Sequence, residues 1–91
     1  MTFDEYSLMI KDKILADENI DELSSRYFQD CFDYVYKLSK SNKPLDLALL
    51  KIYLEQVKGY ENIKMDDFIR TIILLSFCGF SFQLDKNNLN S

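Results

Sequence analysis

The sequence contains no histidine and no tryptophan, and it has only two glycines, one proline and two cysteines among 91 residues. Without histidine, the chain lacks the side chain that most often acts as a base near neutral pH and as a metal ligand. Cys31 and Cys78 lie far apart, so the short cysteine spacing of zinc sites is missing. Neither glycine belongs to a glycine-rich phosphate-binding loop. These absences predict a protein that is not an enzyme and that needs no metal or cofactor.

Paired carboxylates are the remaining candidates for catalytic chemistry. Asp17 and Glu18 precede Asp21 and Glu22 by one helical turn at the start of a predicted helix. Acidic side chains at that position are stabilised by the positive end of the helix dipole without any catalytic role. We therefore interpret these residues as solvated acids rather than as an acid–base pair.

The scarcity of glycine and proline favours helices over strands, because all-β folds need a turn every 8–12 residues. Hydrophobic residues make up 47% of the chain and aromatic residues 14%, which is enough for a core. We predict one all-α domain over residues 1–84, a compact four-helix bundle-like fold with helices at about 3–15, 20–40, 45–58 and 66–78. The longest apolar run, residues 71–82, is too short to cross a bilayer, so no membrane location is expected.

The ends of the helices carry recognisable signals. Thr2 and Glu5 form a capping box at the start of the first helix. Pro44 marks the restart before the third helix, and Gly59 is placed to end that helix in the left-handed conformation. Gly79 is predicted to end the fourth helix. Residues 80–84 alternate like a strand without a partner, so we predict an extended or irregular tail packed on the core, followed by a frayed segment at 85–91.

Apolar periodicity predicts which helices are buried. In the second helix, a seam from Ile20 to Leu38 recurs every three or four residues and should face the core. Apolar residues cover more than half of the third helix, which predicts a central position between two neighbours. The fourth helix is apolar on every side, so we expect it to be buried all round, either in the centre of the domain or against a second chain.

Charge is distributed unevenly along the chain, whose net charge is −4. Residues 1–33 contain nine acidic and three basic side chains, whereas residues 34–58 contain five lysines and two acids. An acidic N-terminal third would repel phosphate and attract a basic partner. The alternative is intramolecular, with the first two helices neutralising the third.

Two aromatic residues of the second helix lie off its apolar seam. On a helical wheel at about 100° per residue, Phe32 and Tyr36 fall on the outer side with Gln29 and Asp33. Exposed aromatic side chains among polar neighbours are typical of protein interfaces. We predict a partner-binding surface centred on these four residues, with Glu22, Asp17 and Glu18 as an acidic rim. The alternative is that another element, such as residues 80–84, covers the two rings.

These observations favour a non-enzymatic protein-binding module, a small acidic inhibitor or immunity-like factor that occludes a larger, basic protein. A homodimeric regulatory or structural module is the alternative. A third hypothesis is weak nucleic-acid binding through a lysine strip beside Tyr36, which the sequence pI of about 4.7 disfavours. The strip comprises Lys37, Lys40, Lys43, Lys51 and Lys58.

The cellular context is predicted from two features of the composition. The N-terminus has no basic stretch followed by an apolar one, and the two cysteines lie in apolar helix patterns, so we expect a cytoplasmic protein with reduced thiols. The abundance of Asn, Lys, Ile and Tyr suggests an AT-rich genome, bacterial or that of a mobile element.

Overall fold

Four α-helices form the part of the chain that the computed structural model describes, residues 1–83. Helix α1 spans Phe3–Leu15, α2 spans Glu22–Lys40, α3 spans Leu47–Gln56 and α4 spans Met65–Phe77. The prediction of an all-α fold with four helices is confirmed, and the predicted helix ends lie close to the observed ones. The predicted frayed segment at 85–91 and the last residue of the predicted domain lie outside the described residues.

Side-chain caps begin the first three helices. The Thr2 hydroxyl accepts a hydrogen bond from the Glu5 amide at 3.1 Å, as the capping box predicts. Asp21 caps α2 by accepting a bond from the Ser24 amide at 2.7 Å, and Asp46 caps α3 in the same way. Helix α2 therefore begins at Glu22 rather than at Ile20, because Asp21 keeps an extended backbone to make this cap.

Both glycines follow the ends of helices, as predicted, and both have positive φ, which was predicted for Gly59. Gly59 has φ +77° and follows α3, and the Tyr60 amide after it bonds back to the Leu54 carbonyl. Gly79 has φ +102° and follows α4. A Cβ atom at Gly79 would lie 2.9 Å from Cε2 of Phe3, so this position is restricted both by its backbone and by its neighbour.

The Gly79→Ala variant is expected to lose about 1–3 kcal/mol of unfolding free energy, because alanine is strained at this φ and its methyl group displaces the Phe3 ring. Gly59→Ala is the matched control, since that site has the same sign of φ and no atom within 4 Å. Chemical denaturation followed by circular dichroism measures both. Equal losses in the two variants would show that the contact with Phe3 is unimportant.

Helix α2 is the centre of the fold, and it contacts both α3 and α4. Five of its side chains are buried, more than in any other helix: Tyr27, Phe28, Cys31, Phe32 and Val35. On a helical wheel, the centre of these five buried side chains lies about 60–70° from the centre of the predicted seam, on the side of Phe32. Leu23, a member of that seam, is 64% exposed. The rotation follows from packing on several sides of α2, which a single-seam pattern does not anticipate.

The predicted central position of α3 and the complete burial of α4 are wrong for the single chain. Helix α3 buries only Leu50 and Leu54, whereas Leu49 and Ile52 on its other side are exposed. Helix α4 buries one face and exposes another. The exposed apolar side chains of α4 are Met65, Ile69, Ile73 and Phe77.

The chain that follows α4 returns to the core. Phe80 is buried and Phe82 is half-buried. The backbone amide of Gln83 donates a hydrogen bond to the Leu45 carbonyl at 2.7 Å. The prediction of an extended segment packed on the core is confirmed as far as residue 83. The expectation that this segment has nothing to pair with is wrong, because Gln83 forms a parallel bridge with Asp46.

The two cysteines are core residues, as predicted, since Cys31 and Cys78 are both fully buried thiols. Ser7 on α1 is also fully buried, and its hydroxyl donates to the Cys78 carbonyl at 2.6 Å. Among residues 1–83, no helix combines the length and apolar character needed to span a bilayer.

Candidate functional site: an acidic cleft

The two aromatic residues predicted at the centre of the site do not form an exposed pair. Phe32 is only 2% exposed, and the prediction that its ring faces solvent is wrong. The Phe80 ring packs edge-on against it at a centroid distance of 5.6 Å, and the Lys11 ammonium lies 5.3 Å from its centroid. The alternative interpretation, that the chain after α4 covers Phe32, is the one the structure supports.

The other three residues at the centre of that prediction remain partly accessible. Tyr36 is half-buried, stacks on Phe32 at 5.6 Å, and is covered by Lys40, whose ammonium lies 5.1 Å from its centroid. The Gln29 amide donates to the Asp33 carboxylate at 2.8 Å on the same face of α2. This face is therefore polar, and it offers a partner no apolar anchor of the predicted kind.

The predicted acidic rim lies at a different place, around the turn that joins α1 to α2. Asp17 and Glu18 belong to this turn and are exposed, as is Glu22 in the first turn of α2. Glu22 also pairs with Arg26 one turn later at 3.3 Å. These acids therefore lie near the start of α2 and apart from Phe32.

The predicted lysine strip is interrupted by ion pairs. Lys40 pairs with Asp4 of α1, and Lys51 pairs with Glu55 of α3 at 3.8 Å. None of the ion pairs among residues 1–83 joins α3 to α1 or α2, so the proposed neutralisation of the third helix is not seen there.

A cleft of about 400 Å³ opens where the α1–α2 turn meets the start of α2 and one side of α4. Its volume lies within the range of about 300–1,000 Å³ that is usual for ligand-binding pockets. The lining side chains comprise an apolar set and a polar rim. The apolar set is Ile14, Ile20, Leu23, Tyr27, Phe28, Ile63 and Leu74, and the rim is Asp17, Asn19, Asp21, Ser24, Asn62, Asp67, Arg70 and Thr71.

Three helices contribute to the apolar set. Its buried members, Tyr27 and Phe28, form the floor of the cleft. Phe28 and Tyr27 are buried side chains of α2, Ile14 comes from the last turn of α1, and Leu74 comes from α4. Leu23 is largely exposed and forms a wall near the surface.

The rim is acidic. Asp17, Asp21 and Asp67 line the cleft together with Arg70, its one basic residue among residues 1–83. Hydrogen bonds from Ser24, its backbone amide first, lower the pKa of Asp21, so this carboxylate stays ionised at all but strongly acidic pH. The Asp17 carboxylate accepts a hydrogen bond from the backbone amide of Asn19 at 2.9 Å, which orients the carboxylate within the turn.

Of the seven residues that the sequence predicts for the site, Asp17 alone lines this cleft. The acidic turn at residues 17–22 was recognised from its composition alone. Asp67 and Arg70 were missed because they come from α4, and no local pattern indicates which side of α4 packs beside the α1–α2 turn. The only available signal was Leu23, an apolar side chain in the acidic first turn of α2.

Within residues 1–83, no three side chains of the types that ligate metals lie close enough together to hold an ion.

No protein-family model matches the chain, and no curated protein or solved structure matches it either. Residues 1–83 form a small all-helical protein fold.

Proposed function

We propose that this protein is a non-enzymatic binding module whose acidic cleft accepts an apolar side chain from a basic segment of a larger protein. Binding would cover that segment and occlude it, in the manner of a small inhibitor or immunity-like factor. The observation that carries the proposal is a cleft of about 400 Å³ in which apolar side chains lie beside three carboxylates and one guanidinium of residues 1–83.

The chemistry of the rim selects the class of partner. Carboxylates at Asp17, Asp21 and Asp67 attract lysine or arginine and repel phosphate, which favours a basic polypeptide over a nucleic acid. The apolar floor requires a hydrophobic side chain between the basic ones. A basic amphipathic helix has this pattern, with apolar residues on one face and cations beside them.

The charge of the rim is expected to act mainly on the rate of association, because exposed charges steer an encounter more than they hold a complex together. Affinity would come from burying the apolar anchor against Leu23, Tyr27 and Phe28. Binding should therefore weaken as the salt concentration rises without disappearing, since screening reduces only the electrostatic contribution.

The proposal is tested with a synthetic amphipathic helix of leucine and lysine as the probe, measured by isothermal titration calorimetry. The double variant Asp17→Lys with Asp67→Lys is expected to bind it about 10- to 100-fold more weakly than the unchanged protein. The double variant Asp12→Lys with Asp33→Lys changes the net charge equally but lies outside the cleft, and it should lose less than about threefold.

Control peptides separate the two contributions to binding. The same helix with glutamate in place of lysine, and the lysine helix with alanine in place of leucine, should both bind weakly or not at all. Equal losses in the two double variants would mean that net charge alone governs binding and would refute the cleft. A loss confined to the Asp12/Asp33 variant would instead place the site on the α2 face around Gln29 and Asp33.

A further inference from the structure

The outer side of α4 presents a ridge of large apolar side chains to solvent. Met65, Ile69, Ile73 and Phe77 follow one another at intervals of four residues, and between 49% and 61% of each is exposed. The acidic cleft lies on another side of the same helix, where Asp67, Thr71 and Leu74 point. None of the four ridge side chains lines the cleft, and the two surfaces meet at Arg70.

Helix α1 extends this ridge beyond the end of α4. The Tyr6 hydroxyl donates to the Phe77 carbonyl at 3.0 Å, and the Phe3 ring packs edge-on against Phe80 at 5.6 Å. Tyr6 and Phe3 are themselves about half exposed. We call the combined surface the α4 face, which consists of Met65, Ile69, Ile73, Phe77, Phe3 and Tyr6.

The size of the α4 face suits an interface between proteins. Six large side chains that are each about half exposed present on the order of 600 Å² of mostly apolar area. That equals or exceeds the largest apolar patch of a typical monomer, about 300–600 Å². With a polar rim, it approaches the roughly 800 Å² that each partner buries in a stable complex.

The charge of the α4 face indicates which partner it fits. Asp66 and Arg70 lie one turn apart at the edge of the α4 face that borders the cleft, and Arg70 also lines the cleft. Their opposite charges cancel at this edge, although the chain carries a net charge of −4. Two copies of an acidic protein can meet at a neutral face without like-charge repulsion. A basic partner would gain no electrostatic attraction there.

We propose that the α4 face is the interface of a homodimer in which α4 crosses the α4 of a second copy about a twofold axis. A symmetric pair buries the same patch on both subunits, as most small homodimers do. In an antiparallel arrangement centred between Ile69 and Ile73, each of these residues packs near the axis. Met65 then approaches the partner's Phe77. The proposal concerns a surface separate from the cleft and does not depend on the function proposed above.

The test is absolute mass by light scattering on a size-exclusion column across a tenfold concentration range. The unchanged protein should have about twice the 10.8 kDa mass of one chain. In the double variant Ile69→Asp with Ile73→Asp, the dissociation constant of the dimer should rise about 100-fold or more, so that the protein runs as a monomer.

The control variant Leu49→Asp with Ile52→Asp changes two equally exposed residues of α3 and should leave the dimer intact. Asp17→Lys with Asp67→Lys should also leave the mass unchanged.

A second measurement does not require the aspartate variants to fold. In an Ile73→Cys variant, the introduced thiol is exposed while both native thiols are fully buried, so a short bismaleimide should crosslink two copies through position 73. Leu49→Cys is the control and should remain uncrosslinked.

A mass of 10.8 kDa by light scattering at every concentration overturns the proposal and leaves the face open to a different protein. A dimer that only the α3 variant dissociates also overturns it.

Discussion

Replacing Phe32 with Ala is expected to lower the free energy of unfolding by about 3–5 kcal/mol, the usual cost of removing a buried phenylalanine ring. The ring is 2% exposed and contacts Phe28, Tyr36 and Phe80, so truncation leaves a cavity bordered by three aromatic side chains. Small domains have only about 5–15 kcal/mol of stability, so this variant should be close to unfolding at room temperature. Urea denaturation followed by circular dichroism gives the value directly.

The Tyr36→Ala variant is the matched control on the same face of α2. Tyr36 is half-buried and loses one stacking contact and the contact with Lys40, so a cost of about 1–2 kcal/mol is expected. An unchanged denaturation midpoint for Phe32→Ala would show that the ring is exposed after all. It would then restore Phe32 as a candidate for partner binding.

Raising the pH toward 12 is expected to unfold the protein well before its backbone is chemically damaged. Burial raises the pKa of the Cys31 thiol to about 12 and that of the Cys78 thiol to about 11, from an ordinary value of 9.0. Burial, together with the hydrogen bond that Tyr60 donates to Asp30 at 2.6 Å, raises the pKa of the Tyr60 phenol to about 12. Burial also raises the pKa of Tyr27.

The direction of the pH effect follows from proton linkage. Between pH 9 and 12 the unfolded chain has already released thiol protons that the folded chain retains, so the free energy of unfolding falls as the pH rises. The stabilising contribution of these groups is complete below pH 9 and is lost as the pH passes through 11 and 12. Thermal midpoints measured by circular dichroism in steps from neutral pH upward should show an accelerating decline.

A variant with both cysteines replaced by alanine isolates the contribution of the thiols. It should be less stable than the unchanged protein at neutral pH, because two buried sulfur atoms are lost, but its stability should decline less steeply between pH 9 and 11. Identical slopes for the two proteins would mean that the thiols titrate alike in the folded and unfolded states. The remaining decline in the variant would report the tyrosines and the rising negative charge.

The helix ends could be predicted because the residues that set them act locally. A threonine, a glutamate three positions later and a glycine after the last turn satisfy backbone groups of their own helix, wherever that helix lies in the fold. Thr2 and Gly59 adopt the expected conformations for this reason. The core position of both cysteines also agrees with the local pattern, because each lies in an apolar helix pattern.

The orientation of each helix was harder to predict, because it depends on which neighbours are present. The wheel of α2 placed Phe32 on the outside, but Lys11 and Phe80 come from both ends of the chain to cover it. Apolar residues cover more than half of α3 and every side of α4, which predicts a central position for α3 and complete burial for α4. Ninety-one residues offer too few elements to cover every apolar side, so parts of both helices remain exposed.

The candidate site shows the same division. The acidic turn at residues 17–22 was visible in the sequence, but the apolar floor beneath it required α1, α2 and α4 to meet. No spacing within one helix indicates that Asp67 and Arg70 lie beside Asp21. The site is therefore a property of the tertiary packing, while its acidic character is a property of the composition.

By itself, the sequence determined the all-α class, the four helices, the Thr2 cap of α1 and the Gly59 end of α3. It also determined the buried cysteines and the acidic start of α2, because each of these features depends on neighbours within a few residues. Only the tertiary structure decided that Phe32 is core and that α4 keeps an exposed apolar face. It also decided that the acids border a cleft. These outcomes depend on contacts between residues far apart in the chain, which local periodicity does not encode.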